Sequence, residues 1–224
     1  LPGRPAIAEE LQIMRDVMLA EDTGAHVHIC HISTARGVDI VRQAKARGIH
    51  VTCETCPQYF TLTQDEVLRQ DAMARVNPPL RTQADVEGIR AGLIDGAIDA
   101  IVTDHAPHTA EEKARPLPDA PSGMVGLETS LALALTGLYH TGLLPLNRVI
   151  ALMSAAPAAL LGLDKGTLAP GRDADLILFD PDEEWVVDKT NFASKGRNTP
   201  FHGRTVRGKV KYTISRGTIL YMEG

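Results

Sequence analysis

Two short runs in this chain put ligand-type and proton-transferring side chains where chemistry could use them. Cys30-His31-Ile32-Ser33 ends an apolar stretch on an imidazole, and Thr103-Asp104-His105-Ala106-Pro107-His108 gathers an acid and two histidines around a stiffening proline. An acid closing a buried strand is costly unless it is paired or binds a metal. Each residue also has a plainer reading: His31 as a hydrogen-bonded rim residue, Asp104 as a cap on the following segment. His28, two residues before His31, reads as packing. In Asn77-Pro78-Pro79-Leu80-Arg81 the second proline restricts the first to an extended conformation, so the amide sits on a stiff support. Arg81 reads as a structural salt bridge or backbone contact. Cys53 and Cys56 have zinc-ribbon spacing, but without a second ligand pair a structural zinc knuckle is not expected.

The elements around these residues alternate. Ile7, Leu11, Met14 and Met18 make a helical stripe over residues 6–21, stopped at Gly24. Residues 25–31 read as a strand, and Ser33 or Thr34 as the cap of a helix running to about Arg47. A second strand is predicted over 49–55, a helix over 85–95 and a third strand over 98–103. Strands alternating with helices imply a parallel sheet, whose chemistry collects at the carboxyl ends of its strands, where His31, Glu54 and Asp104 all fall. A helix is predicted over 124–138, and one or two over 146–161, broken near Pro157. After about residue 163, strand-like runs separated by Gly, Pro and Asp point to a small antiparallel β module.

With 23 Lys and Arg against 28 Asp and Glu, and neither sign in a run, a nucleic-acid or acidic-lipid surface is not expected. No stretch approaches the roughly 20 apolar residues of a membrane span, and no signal pattern opens the chain. Three cysteines are too few and too odd for a disulfide scaffold. The expectation is a cytoplasmic protein with a small-molecule partner.

The motifs gain weight in order: CHIST at 30–34, ETCPQYF at 54–60, NPPLR at 77–81, TDHAPH at 103–108, GMVGLET at 123–129, GTLAPGRDADLILFD at 166–180 and SKGRNTPFHG at 194–203. Together they resemble dihydroorotase of the bacterial class I type. GTLAPGRDADL is shared widely among cyclic amidohydrolases. NPPLR, DHAPH and SKGRNTPF favour dihydroorotase over hydantoinases.

The resemblance implies the second half of a (β/α)8 TIM-type metal-dependent hydrolase barrel, with residues 1–163 supplying strands six to eight and their helices. Residues 164–224 would form a small β module beside the barrel. It implies zinc, one or two ions per complete site, with His31 and Asp104 as ligands. Asp104 would also be the catalytic acid–base, moving a proton between the attacking water and the departing amide nitrogen. Asn77, His108 and the backbone around Ser122 and Gly123 would contact the substrate. The reaction implied is reversible hydrolysis of dihydroorotate to N-carbamoyl-aspartate, in pyrimidine biosynthesis.

The family's HxH pair, its bridging ligand and the histidine of its fifth strand have no counterpart in the sequence. Three strand–helix units cannot close an eight-stranded barrel, which takes about 250 residues. The chain therefore reads as part of a larger enzyme, inactive alone, whose nearest partner is the amino-terminal half of the barrel; a homodimer or association with aspartate transcarbamoylase is a further partner expectation. The rival readings are a hydantoinase or dihydropyrimidinase, a non-catalytic dihydroorotase-like partner of aspartate transcarbamoylase, and a plain α/β binding domain.

Overall fold

The structure, a computed structural model, describes residues 3–223. The first helix, α1 (Ala6–Thr23), begins after Pro5 and stops at Gly24, which takes a left-handed φ of 70° and bonds back to the Ala20 carbonyl. It buries Ile13, Val17 and Ala20, while Ile7, Leu11, Met14 and Met18 are exposed. The stripe read from the sequence is therefore a second apolar face, and the buried face is built from Ile13, Val17 and Ala20 with Glu10.

Strand β1 (Val27–Ile29) leads to α2 (Ala35–Ala46), capped by the Thr34 hydroxyl accepting from the Gly37 amide, then to β2 (Val51–Thr55). Two short helices, α3 (Pro57–Thr61) and α4 (Glu66–Gln70), precede α5 (Gln83–Asp95) and β3 (Ala100–Ile101). The three strands form a parallel sheet in the order β1-β2-β3, with His28 opposite Thr52 and Thr55 opposite Ile101. Along β2, Val51, Cys53 and Thr55 are buried on one face, and Thr52 and Glu54 alternate onto the other.

The amino ends of α2 and α5 are tied together. Thr82 and Asp85 form a reciprocal capping box on α5, and the Asp85 carboxylate also accepts from the Ala35 amide. Gly88 makes the close packing possible, because a Cβ there would lie 2.3 Å from that of Ala35.

Helix α6 (Ala110–Lys113) follows the Asp104 loop, and α7 (Ser130–Ala134) continues into one π turn over Leu135–Tyr139. Residues 124–129 are not helical, against expectation. Their backbone is spent elsewhere: Met124 accepts from Ala106 and Val125 donates to Asn198. Helices α8 (Leu146–Met153) and α9 (Ala155–Leu160) break at Ser154 rather than near Pro157. Pro157 falls in the first turn of α9, where its missing N–H costs nothing.

Strand β4 (Leu176–Val186) continues through an irregularity between Asp180 and Glu184. It pairs antiparallel with β5 (Thr205–Ser215), which pairs with β6 (Thr218–Met222) across the Arg216-Gly217 turn. Both turn residues have positive φ, 48° and 78°, as a tight hairpin requires.

The chain divides into two compact units, Leu1–Ser130 with Asp188–His202, and Leu131–Val187 with Gly203–Gly224. Residues 131–163 thus cluster with β4–β6, although the sequence groups them with the parallel strands.

Candidate active site

His31 and Asp104 both follow short parallel strands, and both adopt a left-handed backbone, with φ of 41° and 45°. Non-glycine residues rarely do so, and such strain gathers at functional sites. The two interact electrostatically. Burial raises the Asp104 carboxyl above the ordinary carboxylate range, His31 pulls it back, and Glu54 pushes it further up. Among the described residues, His31 Nδ1 is buried with no hydrogen-bond partner. A buried ring nitrogen in that state is costly, and a cation relieves it.

Asn77 Oδ1 accepts 2.8 Å from Arg4 Nη1, which leaves the amide NH2 to donate. Its peptide bond to Pro78 is cis. Asn77 and His31 share a cavity of about 270 Å³ with Arg4 and Glu9. A larger hollow nearby is lined by Asn77, Arg75 and Ser122. Asp104 and His108 line neither, so the structure joins the expected site residues in overlapping subsets.

His108 Nε2 lies 3.1 Å from the Ser122 carbonyl oxygen, and Nδ1 lies 3.5 Å from Glu112. Gly123 has a φ of 141°, and a Cβ there would meet Ala106 at 2.6 Å and His108 Nε2 at 3.0 Å. Only glycine lets these loops close. His105, by contrast, is occupied: its Nδ1 accepts from the Gly126 and Leu127 amides.

Several residues that organise this region carry no obvious signal in the sequence. Asn198 is buried; its Oδ1 accepts from the His108 amide, and its Nδ2 donates to the carbonyls of Ala106 and Gly123. The SKGRNTPF run contains it, but nothing in its spacing discloses the contact. Lys113 is also buried and donates to the carbonyls of Ala72, Arg75 and Pro121. Desolvation, with Arg75 nearby, lowers its pKa to about 8. Arg81 meets its structural reading, binding Glu9 at 3.2 Å and the Arg4 carbonyl at 2.7 Å. His28 does not simply pack: Nδ1 is 2.8 Å from the Thr52 hydroxyl and Nε2 is 3.1 Å from Glu54. Cys53 and Cys56 are both buried, and Cys53 Sγ donates to the Ala97 carbonyl at 3.3 Å.

Comparison with known proteins puts this arrangement in context: residues 8–220 match the amidohydrolase family. The chain belongs to that family. Curated amidohydrolases similar to it include the dihydroorotases of Pelotomaculum thermopropionicum, 51% identical over 100% of this chain and 52% of theirs, and of Syntrophus aciditrophicus, 49% identical with the same coverage. The chain spans about half the length of the curated relatives it matches. Solved structures similar to it include the dihydropyrimidinase of Brevibacillus agri and the L-hydantoinase of Arthrobacter aurescens, at 28% and 36% identity. Each has a TM-score of 0.93, with 98% of this chain and 50% of the other covered.

An amidohydrolase of this kind is generally metal-dependent, and the buried nitrogen of His31 beside an acid suits that chemistry. No helix among the described residues is long and apolar enough to cross a membrane.

Proposed function

We propose that this chain is the carboxy-terminal part of a cytoplasmic dihydroorotase that interconverts dihydroorotate and N-carbamoyl-aspartate. The observation that carries the proposal is identity of about half along the whole chain to curated dihydroorotases. The complete protein would be a (β/α)8 barrel with a β module, to which residues 1–163 and 164–224 contribute respectively. The parallel β1-β2-β3 order and the exposed apolar stripe of α1 support a sheet and helix layer continued by further chain. Its partners would be the small-molecule substrate and the amino-terminal half, with a second copy or aspartate transcarbamoylase as a further associate.

His31 and Asp104 would hold a divalent metal, zinc by donor type. When bound, such a metal supplies a Lewis acid that polarises the ring amide and makes water reactive near neutral pH. The raised carboxyl of Asp104 suits a proton carrier. It takes one proton from the attacking water and returns it to the ring nitrogen, so that the C–N bond breaks and a ureido N–H forms, while the water's second proton leaves to solvent as the new carboxyl group ionises to a carboxylate. The substrate's own carboxylate needs donors. The free NH2 of Asn77 and the ring of His108 fit that need, with the backbone at Ser122 and Gly123 closing the cradle.

The likeness to dihydropyrimidinase and hydantoinase structures favours one second reading, a hydrolase of neutral cyclic amides. Both are tested by joining this chain to the amino-terminal half found in its relatives and assaying dihydroorotate, hydantoin and dihydrouracil. Preference for dihydroorotate, with negligible turnover by the chain alone, is the expected result. Faster hydrolysis of a neutral ring would replace the first reading by the second.

A further inference from the structure

The sheet face that carries Thr52 and Glu54 holds a second donor cluster, made of residues other than His31 and Asp104. His28, Cys30 and Glu54 each offer one ligand atom, and these atoms all lie within 4.8 Å of one another. The register explains the grouping. His28 and Cys30 are two residues apart at the end of β1, so they share a face. Glu54 sits on the matching face of β2, two residues beyond Thr52, which lies opposite His28. We propose that His28, Cys30 and Glu54 form a binding site for a thiophilic divalent cation of the zinc type.

Nitrogen, sulfur and oxygen donors in one trio leave a fourth position open, a donor set that suits zinc or its cobalt substitute. The site has an orienting partner of the usual kind. Thr52 Oγ1 lies 2.8 Å from His28 Nδ1 and 2.8 Å from His26 Nε2. A hydroxyl can donate to one ring and accept from the other, so it can hold His28 with its proton on Nδ1 and its lone pair on Nε2. Nε2 faces Glu54 at 3.1 Å.

The Glu54 carboxylate supplies negative charge to the cluster, beside the Cys30 thiol and the His28 ring. On binding, the S–H bond breaks, its proton passes to buffer, and a sulfur–metal bond forms. Cys30 is exposed whereas Cys53 and Cys56 are buried, so one thiol of the three is accessible to metal or reagent.

The test uses cobalt(II) and this chain under reducing conditions. A sulfur-to-cobalt charge-transfer band should grow to saturation at one equivalent. Cys30→Ser should abolish it, His28→Ala and Glu54→Gln should weaken binding at least about tenfold, and Thr52→Val should weaken it by about tenfold. His31→Ala and Asp104→Asn should leave the band in place, so failure of the proposed catalytic pair is distinguishable from failure of this site. Independently of any variant, zinc should slow iodoacetamide alkylation of Cys30, read by peptide mass, at least about tenfold. Absence of the band in the parent, its survival in Cys30→Ser, or unchanged alkylation with zinc would each overturn the proposal.

Discussion

The two sheets of this protein use polar residues in opposite ways. The parallel strands β1, β2 and β3 are only 3, 5 and 2 residues long, and two of them run out into left-handed residues, His31 and Asp104. The antiparallel β4 and β5 are 11 residues each, and charges in that unit sit in exposed pairs such as Arg207–Glu184 and Lys165–Asp173. Short strands end early and leave side chains past the ladder on left-handed backbone. Long strands spend their residues on pairing.

The sharpest way to break this contrast is a matched pair of carboxylate changes in the complete enzyme. Asp104→Asn should lower turnover in both directions by at least about 10³-fold with circular dichroism unchanged; activity within tenfold of the parent would remove Asp104 from the chemistry. Asp175→Asn, whose carboxylate only accepts from Lys165, Ser215 and the Arg216 amide, should leave turnover within about twofold.

Packing gives the next largest difference. Phe60 is fully buried, so Phe60→Ala should cost about 3–5 kcal/mol in urea unfolding. Leu178 in β4 is 47% exposed, and Leu178→Ala should change stability by under about 0.5 kcal/mol. Equal costs would mean that the second unit is buried more deeply in solution than its exposure shows.

Ion pairs should follow the same order. Arg81→Met removes the cation paired with the Glu9 carboxylate, which is 13% exposed and keeps only its bonds from Ser33, and should cost about 3 kcal/mol. Lys165→Ala should leave the melting midpoint unmoved, since that amine lies in water.

The smallest effect concerns pH. Lys113 has its pKa lowered to about 8 from the ordinary 10.5, so the folded chain gives up this proton earlier than the unfolded chain. Between those values the unfolded state binds more protons, and stability contributed by this group rises with pH. Relative to Lys113→Met, the parent should show the steeper rise in unfolding free energy over that window; parallel curves would mean that the lysine titrates normally.

Much of the parallel sheet is legible because its elements are punctuated locally. Gly24, Thr34 and Gly96 mark helix ends within two residues of their observed places, and apolar runs mark all three strands. The 124–129 segment misleads because its partners, Ala106 and Asn198, are far away in sequence. The same distance hides Asn198 and Lys113, whose roles are contacts with backbone that no spacing encodes. Lone residues such as His31 become informative through their ordered neighbours. His28 shows the reverse, since its contacts with Thr52 and Glu54 depend on cross-strand register.

The Asn198 clamp also imposes a timetable. It bonds the His108 amide across 90 positions of chain, so the loops carrying His108 and Gly123, although bonded to each other directly, lack this tie until residue 198 arrives. Closing so long a loop is among the slower steps of folding, because its entropy is lost before the contact repays it. During synthesis, therefore, the strand ends bearing His31 and Asp104 can form before the Asn198 contacts to His108 and Gly123. Pulse-labelled hydrogen exchange should find the His108 amide protected later than the amides of β2; simultaneous protection would show that the loops lock without the clamp.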